Sequence, residues 1–99
     1  MARTPIHPGE HLKEELEELD LSASELARQL KVPTNRLTEI INGERSITAE
    51  TALLLGHWFG TSPAFWLNLQ MMYDLRMAEK ALAKTLKKLP QRKRVEAAV

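Results

Sequence analysis

The segment between residues 34 and 41 carries polar side chains at positions from which a helix could read the edges of DNA bases. Its apolar residues Leu37, Ile40 and Ile41 recur at the spacing i, i+3 and i+4, which predicts one buried helix face. The side chains left facing outward belong to Thr34, Asn35, Arg36, Thr38 and Glu39. Asparagine can pair with adenine and arginine with guanine through two hydrogen bonds each, while threonine can contact a thymine methyl group. The pattern fits a base-reading helix or the polar surface of an ordinary helical bundle.

The residues around this helix predict a helix-turn-helix motif over about residues 22–42. Ser22 and Glu25 have the spacing of a capping box, in which each satisfies a backbone donor at the start of a helix. Pro33 prevents this first helix from continuing, and an Asn-Gly pair ends the second one. Backbone N–H groups at the start of the second helix favour phosphate. Arg45, just past that helix, could bind a backbone phosphate and fix the register.

Apolar residues recur at intervals of three and four along most of the chain, which predicts an all-α fold of five helices. The fifth helix begins at a Ser-Pro pair and continues to about Leu89, where Pro90 stops it. We divide the chain into an N-terminal arm (1–7), a helix-turn-helix domain (8–79) and a basic helical extension with a tail (80–99).

The composition argues against several classes of protein and of site. The 99 residues suffice for one modest core, and the absence of cysteine excludes disulfides and thiolate metal sites. No apolar run approaches the roughly 20 residues of a membrane span, and no secretory signal is recognisable, so we expect a cytoplasmic protein. His7 and His11 are four residues apart, but Pro8 lies between them and no third ligand accompanies them. We therefore predict no metal, no cofactor and no enzymatic activity.

Charge is distributed unevenly although the whole chain carries only +1. Residues 1–33 carry a net −3, residues 34–70 a net −1 and residues 71–99 a net +5. The basic excess therefore does not coincide with the base-reading helix. This counts mildly against a strongly electrostatic nucleic-acid binder.

Three blocks in one order carry a specific resemblance to a known family. The blocks are NRLTEI, GERSIT and GTSPAFWLNLQ, and HPGEHLKEEL precedes them. Together they cover about residues 6–80, and this part of the chain resembles the HigA antitoxins of bacterial toxin–antitoxin modules. The resemblance implies a lambda-repressor-like helix-turn-helix fold and a homodimer that binds double-stranded operator DNA. It also implies repression of the protein's own operon and neutralisation of a HigB-type RNA-cleaving toxin.

Carried over by position, the resemblance assigns base reading to residues of the second motif helix. These are Thr34, Asn35, Arg36, Thr38 and Glu39. The acidic side chain of Glu39 could accept a hydrogen bond from cytosine or orient Arg36. Related domains often hold a glutamine just after the serine that opens the first motif helix, where it binds phosphate. This chain has Ala23 there, so Ser22 or Ser24 would have to make that contact.

An apolar stripe continues along the fifth helix past the point where the small core should be complete, so it needs a partner. The partner surface is predicted to include Trp66, Leu69, Met72, Tyr73, Leu75 and Leu82. A second subunit and the toxin both remain possible occupants. We expect dimerisation around the first half of the helix, with its C-terminal end free for another contact.

Two alternatives to the antitoxin hypothesis remain open. The first is a helix-turn-helix transcription regulator without a toxin partner. The second is a protein-interaction module with little affinity for DNA, which the acidic N-terminal third, Glu39 and Ala23 favour.

Overall fold

The computed structural model describes residues 5–92, which form five α-helices and, within that range, no strand. The predicted all-α, five-helix fold is confirmed. The helices are α1 (Pro8–Glu18), α2 (Ala23–Leu30), α3 (Thr34–Ile41), α4 (Ala49–Phe59) and α5 (Pro63–Lys88). In the described part of the chain, no helix is both long and apolar enough to cross a lipid bilayer.

One apolar core lies between all five helices and holds the helix-turn-helix pair in place. The helices contribute Leu12, Leu16, Leu26, Ala27, Leu37, Ile40, Ala52, Leu55 and Trp66, and Ile47 joins them from the loop before α4. α2 packs on α3, α3 packs on α1, and α4 packs on α5. The inward faces of α2 and α3 are the ones that their apolar spacing predicts.

A glycine permits the close approach of α1 to α3. A Cβ atom placed on Gly9 would lie 1.8 Å from the carbonyl oxygen of Ile40, a distance that no side chain could occupy. The absence of a side chain at Gly9 therefore lets the start of α1 rest directly on the backbone of α3. This contact fixes α3 from behind and leaves its opposite face toward solvent.

Short polar side chains start three of the helices. The hydroxyl groups of Ser22, Thr48 and Ser62 accept hydrogen bonds from backbone N–H groups in the first turns of α2, α4 and α5. Between α2 and α3, Lys31 adopts the left-handed conformation (φ 61°), and its N–H returns to the carbonyls of Ala27 and Arg28. The turn predicted at residues 31–33 therefore closes in three residues.

α5 extends past the core of the domain. Its 26 residues span about 39 Å, and the longest dimension of the molecule is 53 Å. Every residue from Met77 to Arg92 is exposed. The boundary predicted between residues 79 and 80 falls inside this continuous helix.

The N-terminal arm and the tail lie only partly within the described residues. His7, at the end of the predicted arm, is buried and caps α1 by accepting a hydrogen bond from the N–H of Gly9 through Nδ1 (2.9 Å). Its ring also packs edge-on against Tyr73 of α5 (4.8 Å between centroids). Residues 1–4 and 93–99 lie outside the described range.

Candidate nucleic-acid interface

The start of α3 presents polar side chains and backbone donors to solvent. Thr34 and Asn35 are exposed, while Leu37 beneath them is fully buried. Pro33 precedes the helix and, having no polar side chain, gives no hydrogen bond that caps it. The first N–H groups of α3 therefore keep the capacity to bind an anion such as phosphate.

Arg36 extends from this face to a carboxylate on the next helix. Its Nη1 atom lies 3.5 Å from Oε1 of Glu50, in the first turn of α4, and its side chain is only 25% exposed. No other partner of this guanidinium occurs among residues 5–92. The edge formed by Nε and Nη2 makes no hydrogen bond within the described chain, and arginine uses such an edge for its two parallel hydrogen bonds to guanine.

Glu39 holds Arg45 and not Arg36. Oε1 of Glu39 accepts a hydrogen bond from Nε of Arg45 (2.8 Å) and forms an ion pair with Nη2 of the same guanidinium (2.8 Å). The expectation that Glu39 could orient Arg36 is therefore wrong, since the partner of Arg36 is Glu50. The loop after α3 returns Arg45 to the last turns of that helix, so the pair closes locally. The edge of Arg45 formed by Nη1 and Nη2 remains for a phosphate.

Thr38 uses its hydroxyl group within the helix. Oγ1 donates to the carbonyl oxygen of Asn35 (3.3 Å), and the side chain is half-buried. The oxygen still has a lone pair to accept with, and the methyl group still has a free side. Of the five predicted base-reading residues, Thr34 and Asn35 are thus the least constrained.

The predicted phosphate contacts at the start of α2 differ from one another. The Ser22 hydroxyl accepts from the N–H of Glu25 (3.0 Å), as the capping box requires. The return bond of that box does not form, because the Glu25 carboxylate bonds Arg28 and Gln29 instead. These hydrogen bonds lower the pKa of Glu25, and the hydrogen bond from Arg28 has the largest effect. Ser24 is exposed and makes no side-chain hydrogen bond within the described chain.

Two glutamines that the sequence reasoning did not identify position this face. Gln70 of α5 is 5% exposed, and its Oε1 accepts from the N–H of Ile47 (2.7 Å) while its Nε2 donates to Asp74 (2.9 Å). It therefore fixes the loop that carries Arg45. Gln29 of α2 accepts from Nε1 of Trp58 in α4 (2.8 Å). No local pattern identifies such residues, because their partners lie 23 and 29 positions away.

The net field of this face is weak because its arginines are paired. Arg28, Arg36 and Arg45 each contact a glutamate. Lys31, in the turn between α2 and α3, is exposed and has no ion pair within residues 5–92. Lys31 was also missed by the sequence reasoning, although its position between the two motif helices places a cation beside the base-reading residues.

The predicted partner surface on α5 is partly internal. Trp66 is 1% exposed and donates from Nε1 to Thr61 (3.1 Å), so its assignment to a surface is wrong: it fills the core of a single chain. Leu69 and Tyr73 are half-buried. Met72, Leu75 and Leu82 are exposed at 50%, 58% and 46%, as a partner surface requires.

The two N-terminal histidines pack within the domain and make different contacts. The Nδ1 atom of His7 is used by the cap of α1, and His11 packs edge-on against Phe65 and Trp66. Among residues 5–92, no three histidine, aspartate or glutamate side chains converge on one point. The pKa of His7 is lowered, because burial disfavours the charged imidazolium more than Asp74 and Glu10 favour it.

Comparison with known proteins gives consistent matches. Residues 12–66 match a helix-turn-helix family model. The virulence-associated protein I of Dichelobacter nodosus is 52% identical over 75 residues, which are 75% of this chain and 69% of that protein. An addiction module antidote protein of the HigA family from Coxiella burnetii is 55% identical and superimposes with a TM-score of 0.88 over 92% of this chain and 100% of that one. The Pseudomonas aeruginosa antitoxin HigA, solved with the higBA promoter, is 43% identical (TM-score 0.85; 89% and 97% covered).

Proposed function

The chain belongs to the helix-turn-helix family that includes the HigA antitoxins, and we propose that it is a repressor that binds operator DNA through α3. One observation carries the proposal most directly. Arg36 stands beside the exposed Asn35 at the outer start of α3 with its Nε–Nη2 edge unengaged. The relative from P. aeruginosa, solved with promoter DNA, supports it.

In this mechanism α3 enters the major groove with its N-terminal end toward the bases. Asn35 and Arg36 pair with adenine and guanine, and Thr34 and Thr38 contact neighbouring base edges. The N–H groups at the start of α3, with Ser22, Ser24 and Arg45, bind phosphates and set the register. We add Lys31 to these phosphate contacts because it lies in the turn between α2 and α3. Repression then follows from occupancy of the promoter and needs no catalysis.

A homodimer would double this interface. Two copies of α3 related by a two-fold axis would enter successive major grooves about 34–36 Å apart, so the operator would be palindromic. We further propose that the protein acts in the cytoplasm as an antitoxin and neutralises a HigB-type toxin. The resemblance supports the toxin partner, and the neutralising surface is a separate question from the DNA site.

Binding to the DNA upstream of its own coding sequence tests the repressor function. We expect tight binding at physiological salt that a random competitor does not displace. Arg36→Ala should cost about 1–3 kcal/mol, mainly at one base position. Lys13→Ala, an exposed cation on α1, is the matched control and should leave the affinity unchanged. Equal weakening on every sequence would make Arg36 a phosphate contact.

The pairing of all three arginines favours a second candidate, a protein-interaction module with little DNA affinity. The dependence of affinity on salt separates the two. A repressor that neutralises several phosphates loses affinity steeply between 50 and 200 mM salt, typically by orders of magnitude. A shallow dependence, together with weak and competitor-sensitive binding, would favour the interaction module. A regulator without a toxin would bind DNA equally well but would lack a neighbouring gene for a small basic protein.

A further inference from the structure

His7 lies where α1, α5 and the loop between α3 and α4 (residues 42–48) meet. It is buried, and its Nδ1 atom accepts a hydrogen bond from the N–H of Gly9 at the start of α1 (2.9 Å). Its ring packs edge-on against Tyr73 of α5. The ring also lies beside the 42–48 loop, since a Cβ atom placed on Gly43 would be 3.9 Å from Cγ of His7. One imidazole therefore contacts all three elements, and the loop among them carries Arg45.

The far end of the same loop is held by a side chain of α5. Oε1 of Gln70 accepts from the N–H of Ile47 (2.7 Å), while Nε2 of Gln70 donates to Oδ1 of Asp74 (2.9 Å). Asp74 directly follows Tyr73, and among the charges that favour a protonated His7 its carboxylate is the strongest. The Asp74 carboxylate thus faces two groups, the Gln70 amide and the His7 ring.

We propose that His7 and Asp74 are positioning residues of the DNA interface, which act through Gln70 on the 42–48 loop and release that loop when His7 is protonated. We refer to His7, Asp74, Gln70 and Ile47 together as the relay. The inference rests on the repressor function proposed above and adds to it a response to acid.

The chemistry of the imidazole gives the relay its two states. Neutral His7 accepts at Nδ1 and carries its proton on Nε2, whereas the imidazolium carries a proton on both nitrogens. Protonation therefore removes the acceptor for the N–H of Gly9, and the ring rotates toward Asp74. The imidazolium then competes with Gln70 for the carboxylate. A Gln70 side chain that has lost this partner no longer fixes Ile47, so Arg45 loses the position from which it binds phosphate.

The elements packed against His7 carry charges of both signs. They contribute Glu10, His11 and Glu14 from α1, Tyr73, Asp74 and Arg76 from α5, and Glu44 and Arg45 next to Gly43 in the loop. Burial lowers the pKa of His7, and the attraction of Asp74 and then of Glu10 opposes this less strongly. The neutral, loop-holding state therefore persists until the pH falls below about 6.5, the ordinary histidine value.

The expected sign is opposite to the usual effect of acid on DNA binding. Protonated histidines add positive charge, which by itself strengthens the attraction to phosphates. The relay predicts weaker operator binding in acid, because the released loop carries a phosphate contact. The direction of the change therefore distinguishes a positioning role of His7 from a general gain of charge.

The backbone amide signal of Ile47 tests the relay in the free, full-length chain by NMR and requires no variant. We expect this signal to shift with pH at the same midpoint as the imidazole of His7. An Ile47 signal that stays fixed while His7 titrates would overturn the proposal.

Two carboxylate variants separate the relay from charge alone. Asp74→Asn keeps an oxygen that accepts from Gln70 but does not attract an imidazolium, so most of the Ile47 shift should disappear. Glu10→Gln is the matched control, because it removes the same charge near His7 without any bond to Gln70. It should move the midpoint to lower pH and keep the shift. Equal behaviour of the two variants would contradict the path through Asp74.

Binding to the upstream DNA at pH 7.5 and pH 5.5 tests the consequence. The wild-type chain should bind roughly two- to tenfold more weakly at pH 5.5, the equivalent of one hydrogen bond. His7→Asn keeps an acceptor for the N–H of Gly9 and does not titrate, so its affinity should be the same at both pH values. His57→Asn, at an exposed position of α4, should retain the wild-type loss. The same loss in His7→Asn would overturn the proposal.

The two measurements also separate this inference from the proposed function. Coupled titration of His7 and Ile47 in a chain that shows no preference for the operator would refute the repressor function and leave the relay intact. Tight operator binding that does not change between the two pH values would refute the inference alone. Sedimentation at both pH values completes the test, because a dimer lost at pH 5.5 with a fixed Ile47 signal would assign the acid response to association and overturn the relay.

Discussion

The charged side chains at the two ends of the molecule differ in whether they form ion pairs. On the helix-turn-helix face, three arginines are paired with glutamates of the same chain, and the helix beneath them is held by the core. On the second half of α5, four lysines have no ion pair within residues 5–92, and the leucines between them are exposed. The first surface is completed by contacts inside one chain, and the second is not.

The first surface holds its side chains in place before binding, whereas the second leaves its charges free to attract a partner. A base-reading side chain loses less conformational entropy on binding if a neighbour already holds it, as Glu50 holds Arg36. The cost is a weaker field, because each glutamate also repels phosphate. The end of α5 has the reverse character, with a strong field and no fixed partner.

The largest difference in the free energy of unfolding is expected between alanine substitutions at a buried and an exposed leucine. Leu37 is fully buried beneath the base-reading face, so Leu37→Ala should lower the free energy of unfolding by about 2–5 kcal/mol. Leu86 is 53% exposed, so Leu86→Ala should change it by no more than about 0.5 kcal/mol in solution dilute enough for monomers. Urea denaturation of both variants measures this. Similar losses would mean that α5 beyond Met77 is packed after all.

The next effect concerns Gln70, the α5 side chain that hydrogen-bonds the loop after α3. Gln70→Met keeps most of the side-chain volume but leaves the N–H of Ile47 without its acceptor. Such a buried, unsatisfied donor should cost about 1–3 kcal/mol of stability. We also expect weaker operator binding, since the loop carries Arg45. Asn68→Met, at an exposed position of the same helix, should change neither quantity. Unchanged stability of Gln70→Met would show that water replaces the glutamine.

A smaller effect should come from releasing Arg36. An exposed ion pair contributes about 0–1 kcal/mol, so Glu50→Gln should leave the stability nearly unchanged. Removing a negative charge should strengthen binding to random DNA, while the loss of orientation should weaken the preference for one base. Selection from a randomised duplex pool measures both. Glu44→Gln, an exposed carboxylate without an ion pair in the described chain, is the control for charge alone. Identical base preferences for the two variants would exclude a positioning role for Glu50.

The smallest effect is a dependence of stability on pH that originates at His7. Burial lowers the pKa of His7 in the folded protein, so the unfolded chain binds its proton more readily. The free energy of unfolding should therefore fall as the pH drops below about 6.5, the ordinary histidine value. Protonation also removes the Nδ1 acceptor that caps α1. His7→Asn keeps a capping acceptor without titrating near this pH, so urea denaturation between pH 5.5 and 7.5 should show a shallower dependence. An unchanged slope would assign the effect to another group.

The positions of the helices and the polarity of their faces follow from the amino-acid sequence alone. Ser22, Thr48 and Ser62 start helices through side chains that act within three residues, and the spacing of Leu37, Ile40 and Ile41 fixes which side of α3 is buried. These are local effects of the 3.6-residue period and of helix ends, so they can be read from neighbouring letters.

Which side chains of different helices contact one another depends on the tertiary structure. Arg36 pairs with a glutamate fourteen positions away, whereas the sequence led us to expect that Glu39 could orient it. Trp66 shares its helix face with surface residues, yet the packing of α4 and α1 against α5 buries it. Gln70 is a polar residue in an apolar helix segment, and its role becomes apparent only from its hydrogen bond to the loop of Ile47. Such contacts depend on where distant helices meet, and that geometry arises from the packing of the whole core.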